Sequence, residues 1–446
     1  MNASRLTLPA LTALLLLPTF QPGATAETVK DREGAVRGDK AALAQDARWL
    51  YNEIDHGFTQ AKQSGKPLLV VLRCVPCLAC MGMDASVLNS KDLAPLLDQF
   101  VCVRVINANA LDLRRFQFDY DLSFSALFFH GDGTLYARFG SWRHQKNSQE
   151  TDTAGFRQAL EGVLRLHRAY PANKAELAGK QPGPTPFESP LEIPGLVGKY
   201  GRELDWGGKV VQSCVHCHMI GDALRTHARN QGQPVPEEWI YPQPQPETIG
   251  LRLAPDRAAT VAAVLPNSPA AAAGLQSGDD LLTLAGQPVV SMADVSWVLH
   301  RTANTAVLPI TYLRSGTSKT ARLELPAQWR YRSDISRRVG TWGMRAMALG
   351  GLQLVDLTDD ERRDRKLPTD TLALLILHAG EYGNHAAAKK AGFQKGDVIV
   401  ELDGSRSRAT ESEWIGRLLR DHRPGESLPA RVLRGDQQID LRLPMQ

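Results

Sequence analysis

Apolar residues come in one long run near the start of the chain and in many short bursts thereafter. Leu6 to Leu17 is apolar apart from Thr and Pro interruptions, and it falls short of the ~20 residues that span a bilayer. Arg5 precedes it, and the small-x-small triplet Ala24-Thr25-Ala26 follows Pro18, Pro22 and Gly23. This order predicts an export signal over residues 1–26, cleaved near Ala26. No later run is apolar for long enough to span a membrane. The expected location is periplasmic or secreted, where disulfides persist. Between Ala41 and Tyr170 the pattern becomes that of a mixed domain. Trp49, Ile54, Phe58 and Ala61 recur at near-helical spacing, with Gly65-Lys66-Pro67 as a stop signal. Pro67 to Arg73 and Phe100 to Ile106 read as short buried strands. Leu127-Phe128-Phe129, the turn Gly131-Asp132-Gly133 and Leu135 to Phe139 read as a hairpin. A closing helix is predicted over residues 154–167.

Pro171 to Pro194 breaks this pattern. Gln181-Pro-Gly-Pro-Thr-Pro and Ser189-Pro predict a stiff linker over residues 171–194. A short segment follows over 195–246, and then the pattern duplicates. Pro269 to Gly286 reads PAAAAGLQSGDDLLTLAG, and His385 to Gly404 reads HAAAKKAGFQKGDVIVELDG. In each, a glycine ends a short helix, Gly-Asp makes a turn, and an apolar strand follows. The expected architecture is multidomain, α/β plus mainly-β, with repeats at 247–328 and 340–446. The 446 residues are ordinary globular protein, 43% hydrophobic and 22% charged. A net charge of +4 without a basic run gives no indication of nucleic-acid binding.

Five of the six cysteines fall in two clusters, which is where the chemistry concentrates. Cys214-Val215-His216-Cys217-His218 has the spacing of a c-type haem attachment site. The two thiols would bond the porphyrin, His218 would ligate iron, and His227 is the nearest distal candidate. Thiolate and imidazole also suit zinc or copper, and a disulfide is a third reading. Upstream, Cys74, Cys77 and Cys80 follow the first predicted strand. A thiol opening a helix sees the positive end of the helix dipole. Cys77 would then be the nucleophile and Cys80 the resolving thiol. A structural disulfide or a metal clip is the alternative. Cys102, in mid-strand, reads as a small buried hydrophobe.

Gly65-Lys66-Pro67 through Asp84, in its order of strands and helices, resembles the exported thioredoxin-like proteins with an extended first helix. That resemblance implies a thioredoxin-like domain over 41–170 with Cys77 and Cys80 as its redox pair. Two departures stand out. Ser123-Phe124-Ser125-Ala126 occupies the place of the family's cis-proline, and Pro76 that of its aromatic residue. The duplicated pattern resembles bacterial PDZ domains. That likeness implies carboxylate-holding loops at Ile249-Gly250-Leu251 and at Gly351-Leu352-Gln353. Helices over Met292 to Arg301 and Glu411 to Leu419 would flank the peptide grooves. Tandem PDZ units are similar to those of periplasmic quality-control serine proteases, but no Gly-x-Ser-x-Gly or Gly-Asn-Ser-Gly-Gly nucleophile region is present. The order of parts resembles the bacterial thioredoxin-like/PDZ domain-containing (seleno)proteins. It implies an exported thiol–disulfide protein with a protein or peptide partner, a redox partner and a possible haem c. The rival reading is a non-catalytic PDZ scaffold with structural cysteines, or a zinc or copper protein.

Overall fold

The structure is a computed structural model that describes residues 31–73, 90–122, 124–140 and 153–446. The export segment, Cys74, Cys77, Cys80 and Ser123 lie outside the described residues. No helix among the described residues is long and apolar enough to cross a membrane.

The first domain is built on a five-stranded sheet in the order β1 (Trp49–Tyr51), β3 (Val101–Val105), β2 (Leu68–Arg73), β4 (Phe124–Phe129) and β5 (Leu135–Phe139). β2 (Leu68–Arg73) and β3 (Val101–Val105) are buried along their whole length. They run parallel, with Val70 opposite Val103. β4 (Phe124–Phe129) and β5 (Leu135–Phe139) complete the sheet antiparallel to β2, as the hairpin pattern predicts. Leading helix α1 (Arg32–Leu43) and α2 (Ile54–Ser64) precede β2, and α3 (Thr153–Ala169) closes the domain. Gly65 ends α2 at φ +68°, where only a residue without Cβ sits without strain. Trp49 departs from its predicted helix. It lies in β1 (Trp49–Tyr51), paired parallel with Cys102–Arg104, and the helix begins at Ile54. The break falls at Asn52, whose φ is +61° and whose side-chain oxygen accepts the N–H groups of Ile106 and Asn107. Cys102 is fully buried in β3, as its mid-strand position predicts.

The proline-rich stretch is not a free linker. Leu177 and Ile193 are buried, and so is the whole side chain of Lys180. The Gln181 side chain accepts from Leu135 N–H and donates to Leu135 O, both at 3.0 Å. Gln117 treats Gly183 the same way. The Gln181 amide satisfies the Leu135 backbone groups that a further strand would otherwise pair, and Gln117 does so for Gly183 within the proline-rich stretch.

The two later units share most of one element order, the first adding a short strand (Gln287–Pro288) and the second a helix (Asp359–Asp364) between its first two strands. In the first, β6 (Leu251–Leu253), β7 (Val261–Val264), a short helix, β8 (Asp280–Leu284), β9 (Gln287–Pro288), helix α5 (Met292–Arg301), β10 (Ala306–Arg314) and β11 (Thr317–Leu325) follow one another. The second runs β12 (Leu352–Asp356), β13 (Leu374–Ala379), a short helix, β14 (Val398–Leu402), a long helix (Glu411–Asp421), β15 (Ser427–Arg434) and β16 (Gln437–Pro444). The predicted Gly-Asp turns repeat in atomic detail. Asp279 accepts Gln276 N–H and two bonds from Arg314, each at 2.7 Å, while Arg314 also reaches Gly274 O. Asp397 does the same with Gln394, and with Arg434 at 2.8 Å, while Arg434 reaches Gly392 O. Bidentate pairing of this kind satisfies the carboxylate and fixes the hairpin register at once.

Buried charges join the units. Asp294 on α5 pairs with Lys180 at 2.8 Å and accepts Arg138 N–H from β5. Ser291 Oγ donates to Arg138 O, and Trp297 Nε1–H donates to Gly179 O. Arg338, between the repeats, pairs with Asp119 and, at 2.9 Å, with Asp121 of the first domain.

Candidate functional site

Around the second cysteine cluster, the predicted small segment is part of the first domain's surface. Leu113 of that domain packs with Ile193, Leu196, Val215, Ile220 and Leu224. Asn109 fixes the approach, its side chain donating to Gly201 O and Ser213 O and accepting Val215 N–H at 2.7 Å. α1 closes the other flank, where Glu33 accepts the N–H groups of Val210 and Val211. Helix α4 (Cys217–Asn230) starts at the second cysteine, with His216 as its N-cap residue. Its far end is tied to the second repeat, because Arg229 donates to His422 O and Gln446 O.

Cys214 and Cys217 line one narrow cleft with Leu72, Arg73, Ile106, Val210 and His216 on its walls. Arg73 is the last residue of β2, and Cys74 follows it in sequence. The Cys214 thiol donates to Ile106 O at 3.3 Å, and burial pushes its pKa up to about 11. Burial, together with His218 and Arg32, pulls His216 down to about 4, so this imidazole is neutral at pH 7. Cys217 packs against the cluster formed by Leu72, Val105 and Phe116.

The arrangement departs from the expected haem c site in where its histidines stand. The thiols line a cleft with Val36, Ile106 and Val210, which pack α1 against the segment after β3. His218 is not on that wall. Its ring stacks on His216, and its Nδ1 faces Asp222 at 3.7 Å. Burial opposes ionisation of Asp222, yet the neighbouring His218 and the Arg225 hydrogen bond at 2.7 Å hold its pKa below the usual range. His227, the expected distal ligand, lies nine residues along α4. That is ~14 Å up the helix axis, and its ring meets Phe187 instead. Helix geometry therefore keeps His218 and His227 from binding one iron. Met344 is buried in the second repeat's core. Among the described residues no group of three His, Cys, Asp or Glu side chains is placed to hold a metal, so neither His218 nor the cysteines have a described zinc or copper donor set.

The two predicted peptide grooves differ. In the first repeat Ile249, Gly250 and Leu251 are buried at the start of β6, and Gly250 takes φ +86°. Its N–H bonds Glu247 O and its carbonyl accepts Leu265 N–H. β6 pairs only with β7 among the described strands. In the second repeat Gly351 takes φ +90°, and a Cβ there would lie 1.9 Å from His385 O. Gly351 N–H is bonded to Arg345 O, at the end of helix α6 (Thr341–Leu349). Leu352 and Gln353 pair with Ala379 and His378. The next backbone donor, Leu354 N–H, is held at 2.7 Å by Glu411, the first residue of α7 (Glu411–Asp421). Arg345 grips the same carboxylate at 2.9 and 2.6 Å, and both side chains are buried. Sequence reading put Glu411 at the start of the flanking helix but missed that its carboxylate turns into the groove with Arg345. The capping box Thr410-x-x-Glu413 marks the helix start, but nothing local marks which carboxylate turns inward.

The thioredoxin-like family model matches residues 49–131, and the PDZ domain model matches residues 247–325. A probable periplasmic serine endoprotease DegP-like of Pseudomonas fluorescens is 29% identical over 177 residues, 40% of this chain and 35% of that protein. The periplasmic serine endoprotease DegP of Escherichia coli is 26% identical over 191 residues, 43% of this chain and 35% of that protein. The chain thus spans about a third of the length of these curated relatives. Among solved structures, the serine endoprotease from Yersinia pestis is 24% identical, covering 18% of this chain and 28% of that one at a TM-score of 0.17. The HtrA3 PDZ domain bound to a phage-derived ligand (FGRWV) is 20% identical, covering 22% of this chain and 82% of that one, also at 0.17.

Proposed function

Starting from a chain that combines a thioredoxin-like domain with a PDZ domain, we propose a periplasmic thiol–disulfide protein that holds a protein or peptide partner through its PDZ units. The periplasmic location rests on the export-type start of the sequence and on the periplasmic relatives. Proteolysis, named for those relatives, is not carried over, because the matched third of their length lies in a chain without a serine nucleophile motif. The observation that carries peptide binding is the edge of β6, which has one strand partner among the described residues and stands beside the Ile249-Gly250-Leu251 turn. An extended peptide can add there as a strand, its carboxylate taken up at the turn. Thiol exchange is assigned to Cys77 as attacking thiol and Cys80 as resolving thiol, on their spacing after β2.

Two measurements test the proposal. Fluorescence anisotropy with matched peptides ending in a free carboxylate or a carboxamide should give binding only to the former, and equal binding would overturn the carboxylate reading. Reduction of a model disulfide by the pre-reduced protein should vanish in Cys77→Ser. An unchanged rate would remove the redox assignment and leave a PDZ scaffold.

A further inference from the structure

We infer that the first repeat selects protein C-termini carrying acidic side chains at the penultimate and fourth-from-last positions. The inference rests on strand addition at β6 and names the partner chemistry for that edge. Along β6, Leu251 and Leu253 are buried and Arg252 between them is exposed. Gly250 O accepts Leu265 N–H, and Ala254 N–H donates to Thr260 O, both toward the β7 side. Backbone groups alternate in an antiparallel ladder, so those of Leu251 and Leu253 are left for the open edge. A peptide bonding there, its carboxylate at the Ile249-Gly250-Leu251 turn, runs along β6 with its own side chains alternating. Its last side chain takes the inward face beside Leu251. The penultimate and fourth-from-last side chains then stand on the outward face with Arg252.

That outward face is basic. Arg252 shares one cleft with Thr248 of the turn and with Arg332 and Arg337 of the segment joining the repeats. Thr248 Oγ1 and Ser333 Oγ are hydrogen-bonded at 3.1 Å and buried, which fixes that segment against the turn. Arg332 and Arg337 are exposed, as Arg252 is. Among the described residues none of these three arginines makes an ion pair, whereas Arg338, the fourth in the cleft, is engaged by Asp119 and Asp121. The acids on the same walls are Glu247 and Asp334, and Asp334 accepts Ser336 N–H at 3.0 Å. Opposite charges facing one another across paired strands stabilise the pairing, and like charges oppose it. The second repeat lacks this arrangement. Gln353 stands between its buried Leu352 and Leu354, and Glu411 holds Leu354 N–H.

The test is fluorescence anisotropy of the full chain at low salt. The labelled peptides differ only in their ends, -Glu-Ala-Glu-Val, -Gln-Ala-Gln-Val and -Lys-Ala-Lys-Val, each with a free carboxylate. The Glu peptide should bind about tenfold more tightly than the Gln peptide, and the Lys peptide more weakly than either. That advantage should shrink as salt is raised. In Arg252→Gln it should fall several-fold with the Gln peptide unaffected, and Arg252→Glu should favour the Lys peptide over the Glu peptide. Equal binding of all the peptides would overturn the acidic preference and leave carboxylate recognition standing. A preference unchanged in Arg252→Glu would overturn its assignment to β6. Failure of strand addition reads differently, as no binding at all or as equal binding of carboxylate- and carboxamide-ended Glu peptides, and it removes both readings.

Discussion

The two repeats place the same turn device in different surroundings. Asp279–Arg314 and Asp397–Arg434 superpose in role, each carboxylate closing a Gln-x-Gly-Asp turn and pinning the following hairpin. What differs is where each repeat spends its buried charge. In the first, Asp294 faces outward from α5 and binds Lys180 and Arg138 N–H, so the helix flanking the groove becomes a docking surface for the first domain. In the second, Glu411 faces inward from α7 and, with Arg345, caps the groove strand at Leu354 N–H. One buried carboxylate on equivalent helices thus decides whether a repeat serves as a joint or closes its own edge. The first repeat is accordingly the stronger candidate for strand addition.

The largest effect is expected at the joint. Asp294→Asn leaves Lys180 buried without its charge partner, and breaking a buried pair costs ~3–5 kcal/mol. Denaturant unfolding should show that loss, and a change below ~1 kcal/mol would mean that the docking does not depend on the pair. Next come the shared turns. Asp279→Asn and Asp397→Asn should each cost ~1.5–3 kcal/mol, the range for hydrogen bonds to a charged group, and should match one another. Unequal losses would show that the duplication is only in outline.

Opening the second groove gives a smaller effect. Replacing both partners together, Arg345→Met with Glu411→Ala, frees Leu354 N–H without leaving a buried charge unpaired. Binding of carboxylate-ended peptides to the second repeat should tighten about tenfold, equivalent to ~1.4 kcal/mol, with the first repeat unchanged. No gain by titration calorimetry would argue that the cap is not what closes the edge.

The smallest effect is a pH slope. His422 and Thr302 are the C-cap residues of the two flanking helices. Burial pulls the His422 pKa down, but Glu426 at 2.7 Å and Asp403 at 3.0 Å raise it above 6.5. A histidine with a raised folded pKa contributes stability that is complete below its unfolded value and is lost as pH rises through the folded one. Unfolding midpoints should therefore fall slightly between pH 6 and 9, and His422→Thr should flatten that slope.

The legible parts were those with local causes. Leu68–Leu72 is a continuous apolar run and Val101–Val105 is broken only by Arg104, and such runs read as strands whatever surrounds them. The Gly-Asp turns were legible because glycine at positive φ is a backbone requirement met at one residue. Trp49 was misplaced because a three-residue strand has too few positions to outweigh the helical spacing that follows it. The proline-rich stretch was misread because its partners are glutamine side chains, which leave no apolar period. His227 looked near His218 by count, while the helix rise carried it out of reach.

By itself the sequence determined the elements, the duplication, the cysteine spacings and the order of parts, because each depends on residues within a few positions of one another. Tertiary structure alone decided which cysteines share a cleft with the end of β2, which histidine stands off it, and which carboxylate closes a groove. Those outcomes depend on partners far apart in the chain, Ile106 with Cys214, Lys180 with Asp294 and Arg345 with Glu411. A buried polar group takes whatever partner the packing of whole elements brings to it.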